Sequence, residues 1–203
     1  MNNIAIIGAG GHTRSSLPLL KSNVTNTNFK IYDESYQNNN EIILEVCLYG
    51  KIEDVPLDNP VFLSIGDNLQ REILFKRFRQ QLIEKNMFHK HSLIENSVEF
   101  GVCNQVYANV FINSSVVIED NNIINTAVVI EHEVKIGSHN HISIGSVLCG
   151  RVVIGNRCFI GASSTIIDKV EICDNVTIGA GSVVLKNITE AGTYVGSPAR
   201  KIK

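Results

Sequence analysis

What this chain lacks narrows it first. Its 18 lysines and arginines nearly balance 20 aspartates and glutamates, for a formal net charge of −2. With no concentrated basic face, nucleic acid is not an expected partner. No apolar run approaches the roughly 18 residues of a membrane-spanning helix, so no membrane partner is expected either. The opening Met1-Asn2-Asn3-Ile4-Ala5-Ile6-Ile7-Gly8 has neither the basic segment nor the cleavage site of a signal peptide. It reads as a first β-strand, and a cytoplasmic location is the expectation. Cys47, Cys103, Cys149, Cys158 and Cys173 include no Cys-x-x-Cys pair, which predicts reduced thiols. Proline is absent from Ile94 to Thr189.

That proline-free stretch carries a strict rhythm. An aliphatic or aromatic residue returns every sixth position, from Ile94, Phe100, Val106 and Ile112 through Ile172 and Ile178 to Val184. Neither the 3.6-residue helix period nor simple strand alternation yields a strict six, and a repeat this short is the mark of a parallel β-helix. The fifth position of each hexad is mostly small or β-branched, as at Val98, Val110, Val116, Ser146, Cys158 and Ser182. Two inward positions per hexad describe one flat face of a triangular coil, and three hexads close a coil whose core is shared by stacking. Glycines recur at position two (Gly101, Gly137, Gly155, Gly161, Gly179), where the turn is expected to need positive φ.

Residues 1–87 follow other periods. Asn3–Ile7 is a short apolar strand running into Gly8-Ala9-Gly10-Gly11-His12, with a helix expected from about Thr13 to Lys21. Phe29–Tyr32 is a second strand, ending at Asp33-Glu34, and Pro60–Ile65 a third, ending at Gly66-Asp67-Asn68. The Asn-rich segment 37–40 reads as a surface loop. In 69–85, Leu69, Ile73, Leu74, Phe78 and Leu82 recur at helical spacing and predict one buried face. The reading is an α/β Rossmann-like domain over 1–87, followed by a β-helix domain with a C-terminal tail over 88–203.

The hexads resemble the left-handed β-helix of the hexapeptide-repeat acyltransferases, and the handedness rests on that resemblance. The whole chain resembles bacterial nucleotide-sugar N-acetyltransferases that acetylate a 4-amino sugar, relatives of the sialic acid O-acetyltransferases. The likeness lies in the Gly-rich start, Tyr32-Asp33-Glu34, Ser64-Ile65-Gly66-Asp67-Asn68, Asn125-Thr126, Val129-Ile130-Glu131-His132-Glu133 and Gly196-Ser197-Pro198-Ala199-Arg200. It implies acetyl-CoA as cosubstrate, a nucleotide-linked (UDP or dTDP) 4-amino-4,6-dideoxyhexose as acceptor, and a homotrimer with CoA between neighbouring β-helices.

The chemistry sharpens the residues. Acyl transfer to an amine needs a base, because an ammonium has no lone pair. His132 has the right range, and a neighbouring carboxylate can hold its tautomer. The resemblance assigns the base to His132 and the carboxylate to Glu133. Glu131 also adjoins, and strand alternation would turn both glutamates away unless a turn intervenes. His132, His139 and His141 could suggest a metal site, since His139 and His141 share a strand side, but no Cys or well-placed third ligand accompanies that pair, the chemistry needs no metal, and none is expected. The resemblance puts Asn125 and His141 near the amino sugar and the pantetheine arm along Gly150, Ala162 and Ala180. Lys186, Arg200 and Lys201 are candidates for the CoA phosphates. Gly8, Gly10, Gly11 and His12 form a phosphate-cradle candidate that departs from the dinucleotide fingerprint at Thr13. By resemblance His12 lies near the diphosphate, Asp33 and Glu34 near base or ribose, and Gly66 and Asp67 near the nucleotide. An O-acetyltransferase of a sialic acid or related sugar, and a noncatalytic β-helix scaffold, are the competing readings.

Overall fold

The computed structural model describes residues 2–38 and 41–203, so Asn39 and Asn40 of the expected Asn-rich loop lie outside the described residues. The chain divides into two compact units, 1–84 and 85–203. The division falls before residue 87 because Met87 is already β-helix, pairing with Gln105.

The first unit runs β1 (Asn2–Ile7), α1 (Gly11–Asn23), β2 (Thr27–Tyr32), β3 (Ile42–Ile43), β4 (Val46–Gly50), β5 (Val61–Leu63) and α2 (Asn68–Arg77). Its sheet order is β3-β4-β2-β1-β5, parallel except for the β3–β4 hairpin. β1 is wholly apolar after Asn3 because it is central, and Ala5, Ile6 and Ile7 are 0% exposed. Chain order reverses on either side of β1, so the loops after β1, β2 and β5 gather at one sheet edge.

The face expected for the second helix is corrected. Leu69 and Ile73 are 59% and 56% exposed, while Arg71, Glu72, Leu74 and Phe75 are buried. The helix also stops at Arg77, and Leu82 instead bridges in parallel to Val61 beside β5. Leu74 and Phe78 are on the buried face as expected, but Arg71 takes the place beside them that was given to Leu69 and Ile73.

The second unit is a parallel β-helix with three flat faces. The first face carries strands at Met87–Phe88, Gln105–Val106, Ile123–Ile124, His141–Ile142, Phe159–Ile160 and Val176–Ile178. The second runs from Leu93–Ile94 to Val183–Val184 and the third from Glu99–Phe100 to Glu171–Ile172. Neighbouring strands within each face pair at an 18-residue offset, as Ile112 does with Ile130 and Ile118 with Ile136. The rhythm begins one hexad early, at Phe88, which pairs with Val106. Inward isoleucines such as Ile112, Ile118 and Ile130 are 0% exposed. Each such burial contributes about 1.5–3 kcal/mol against the entropy of ordering the coil.

Two details depart from the hexad reading. Positive φ falls at position four, on Cys103, Asn109, Ser115 and every sixth residue to Asn175, with Gly145 and Gly181 in the series. The position-two glycines serve close approach instead: a Cβ on Gly161 would lie 2.6 Å from Ala180 N and Ile178 O. At the fifth position, Asn104, Asn122 and Asn140 interrupt the aliphatic series as a fully buried ladder. Each side-chain oxygen accepts the backbone N–H one coil on: Asn104 to Asn122 (2.9 Å), Asn122 to Asn140 (2.8 Å), Asn140 to Cys158 (2.6 Å). A buried amide is tolerated only when satisfied in this way. Among the described residues no helix is long and apolar enough to cross a membrane.

Candidate active site

His132 and Glu133 sit in the turn between the second and third faces. Glu133 has φ 60, and this left-handed step swings its carboxylate back onto the imidazole. His132 Nδ1 lies 3.0 Å from Glu133 Oε2. A carboxylate only accepts, so Nδ1 is the donor, and in the neutral imidazole it is then Nε2 that holds the lone pair. Strand alternation does not apply here, because the pair is not on a strand. Glu131 is turned elsewhere, accepting from Asn113 Nδ2 at 2.7 Å.

Residues 132, 150, 168 and 186 are successive occupants of this corner, one coil apart, with Arg151 N bonded to His132 O and Lys169 N to Gly150 O. Gly150 is a small residue for a reason: a Cβ there would lie 2.7 Å from His132 Cε1 and Nε2 and 3.2 Å from Asp168 Oδ1. Asp168, unremarked in the sequence, is held by Arg151 through contacts of 3.0 and 3.2 Å. The 18-residue step from His132 would have found it. Farther along, Lys186, Arg200 and Lys201 line one cavity of about 220 Å³ with Val184, Tyr194 and Pro198. Lys201 is engaged by Glu190 at 3.0 Å.

Asn125, Ala162 and Ala180 occupy a different corner, between the first and second faces, and Gly181 N bonds Ala162 O. Gly150 therefore parts company with the two alanines. Thr126 N–H occupies Asn125 Oδ1 at 2.8 Å, so the Asn125 amide N–H is what meets His141 Nε2 at 3.2 Å. That makes Nε2 the acceptor. His141 lies edge-on to Phe159, with centroids 5.2 Å apart. His139 does not share its strand side; it is in a turn at φ 64, 2.8 Å from Asn121 Nδ2. Among the described residues no three metal-ligating side chains come together.

The cysteines are free thiols. Burial pushes Cys158 up to about 12. Burial first, then Asp168 and Glu131, also raise Cys149, the thiol on the His132 corner. Both stay protonated near neutrality, which suits chemistry without a cysteine nucleophile.

In the first unit the expected nucleotide residues converge. Gly8 has φ 114, and a Cβ on it would meet Ser64 O and Ile65 Cδ1 at 2.7 Å. Gly10 and Gly11 face open space, and α1 starts at Gly11 without a side-chain cap or first-turn acid. Gly66 lies against His12, whose Cβ is 3.7 Å from where a Gly66 Cβ would be. Beneath them Thr13 Oγ1 donates to Gly8 O (2.8 Å) and Ser16 and Ser64 hydroxyls meet at 2.5 Å. Asp67 Oδ1 caps α2, accepting from Gln70 N at 2.7 Å. Glu34 is exposed.

Asp33 braces the Gly-rich loop: Oδ2 accepts from Ala9 N at 2.8 Å and Oδ1 from Ser35 N and Oγ. Desolvation pushes its carboxyl up, but the bonds from Ser35 and Ala9 outweigh it and hold the carboxyl below its ordinary value. A depressed carboxylate adds stability above its unfolded pKa and loses it as pH falls through the folded one. Urea unfolding should therefore find Asp33→Asn less stable than wild type at pH 7, with the gap narrowing as pH falls below the usual carboxylate range.

Family models match both units: the PglD N-terminal domain over 3–78, and the bacterial transferase hexapeptide (six repeats) over 133–168 and 151–186. The first unit is thus similar to the PglD N-terminal domain and the second to the transferase hexapeptide repeats. No curated protein sequence matches it. Among solved structures, the acetyltransferase domain of PglB from Neisseria gonorrhoeae superposes with a TM-score of 0.91 at 23% identity, covering 100% of both chains. That likeness speaks for the fold. PerB from Caulobacter crescentus, in complex with CoA and GDP-perosamine, has a TM-score of 0.90 at 29% identity, covering 100% of this chain and 98% of its own. AntD, an N-acyltransferase from Bacillus cereus in complex with dTDP and coenzyme A, has a TM-score of 0.56 at 20% identity, covering 66% of this chain and 88% of its own.

Proposed function

We propose that the chain is an acetyl-CoA-dependent N-acetyltransferase of a nucleotide-linked 4-amino-4,6-dideoxyhexose, with His132 as general base. The observation that carries this reading is the His132–Glu133 pair at 3.0 Å, its Nε2 beside the side-chain-free Gly150. The PerB likeness, with CoA and GDP-perosamine bound to that protein, supports the substrate class. The sugar amine attacks the thioester carbonyl, Nε2 takes the amine proton, and Glu133 balances the imidazolium. The CoA thiolate leaves as the amide forms. Coils rise about 4.8 Å each, so about 14 Å separates His132 from Lys186, a span suited to a pantetheine arm with its phosphates at Lys186 and Arg200. The first unit takes the nucleotide at Gly8–His12 and Gly66.

The assembly follows from the faces. Outward positions of the second face read Leu93, Phe111, Val129, Val147, Thr165 and Val183, with no charge, and Leu93 is 63% exposed. The third face carries Glu99, Lys135 and Glu171 at the same positions. An uncharged flat face of this kind suits association. Packing three second faces about an axis sets the His132 corner of one protomer beside the Asn125–Ala162 corner of the next, completing a site that one copy divides between two corners. Sedimentation should find a trimer, and Val147→Asp should yield monomers with most transfer activity lost. A fully active wild-type monomer would overturn the assembly.

The deciding experiment measures CoA thiol release against UDP-, dTDP- and GDP-linked 4-amino sugars and free sialic acids. Turnover with an amino sugar is expected. Turnover with hydroxyl acceptors alone would replace this reading with O-acetyl transfer.

A further inference from the structure

Arg71 is 0% exposed, among the largest fully buried side chains of the protein. It stands on α2 where helical spacing would favour an aliphatic residue, while Leu69 and Ile73 face solvent. Burying a guanidinium is costly unless its N–H groups are satisfied, so its presence calls for a use. Three of its hydrogen bonds reach one short segment. Nη1 donates to Ile65 O at 3.2 Å and Gly66 O at 3.3 Å, and Nη2 donates to Asn68 Oδ1 at 2.9 Å. This segment follows β5 and borders His12 through Gly66.

Peptide geometry turns these contacts into a function. In a planar trans peptide the C=O and N–H point opposite ways. Drawing the Ile65 and Gly66 carbonyls toward the guanidinium therefore aims the Gly66 and Asp67 N–H groups away from it. Backbone N–H groups aligned in this way suit an anion. We propose that Arg71 is a positioning residue for the nucleotide diphosphate. It acts from beneath the 65–68 loop through its peptide planes and does not touch the ligand. This deepens, and rests on, the reading that the first unit binds the nucleotide.

Arg71→Lys keeps the charge but loses the planar fork that spans two carbonyls and an amide oxygen. Calorimetric titrations with UDP, dTDP and GDP, each alone, should show roughly tenfold weaker binding for whichever diphosphate the wild type takes. KM for the nucleotide sugar should rise by the same factor, with kcat within about twofold and CoA affinity unchanged. A purely structural role would lower the melting temperature and leave diphosphate affinity intact in the folded variant, and that result overturns the proposal. Should Arg71→Lys fail to fold, Asn68→Ala decides. It removes the Nη2 partner and should weaken diphosphate binding several-fold, and unchanged binding overturns the assignment. A wild type that binds none of the three diphosphates would defeat the nucleotide reading itself, and this one with it. Wild-type binding that survives in both variants defeats only the role of Arg71.

Discussion

Replacing His132 with alanine is expected to lower kcat by about 10²–10⁴-fold, the range for a lost general base. The amine would then have to lose its proton to water. CoA binding should be nearly unchanged, because only the acetyl end of the cofactor is assigned to the imidazole, while its arm and phosphates are assigned to Ala162, Ala180, Lys186 and Arg200. The fold should also hold, since the His132 side chain is 46% exposed and its bond to Glu133 lies at the surface. Steady-state thiol release, with CoA affinity measured separately, distinguishes the outcomes. Near-normal turnover would remove His132 as the base.

Gly150→Ala is expected to lower kcat about 10²-fold while leaving the protein folded. Gly150 is not among the positive-φ glycines, so its backbone accepts alanine. The added carbon would lie 2.7 Å from His132 Cε1 and Nε2, well inside van der Waals contact. Because the imidazole is the free end of a surface side chain, it moves and the coil does not. A displacement of about 1 Å at a reacting group can remove 10²-fold in rate. The expected signature is lost kcat with a melting temperature within a few degrees of wild type. A variant with full activity would show that the imidazole need not rest against residue 150.

Much of the scaffold was legible because its periods are local. The six-residue spacing from Ile94 to Val184 marks inward positions whatever the distant contacts are, and the structure places all of them on the faces. The 18-residue period held more than the hexad alone. It contains the Asn104–Asn122–Asn140 ladder and the line from His132 through Gly150 and Asp168 to Lys186. Other features were illegible for identifiable reasons. Left-handed turns fall on Ser, Asn, Arg, Lys and Glu as well as Gly, because stacking forces the same turn on every coil. Helical spacing misplaced α2's buried face because a guanidinium bonded to loop carbonyls can occupy a slot that patterning reserves for leucine.

By itself the sequence determined the two-part architecture, the repeat, the convergence of glycines after the first strand and the candidacy of His132. These depend on residue types at short, regular intervals. Only the tertiary structure decided that Glu133 faces His132 while Glu131 does not, because the choice turns on one left-handed φ. It also decided that Arg71, and neither Leu69 nor Ile73, fills the buried face of α2, because the carbonyls that satisfy its guanidinium belong to the loop that β5 delivers to the helix.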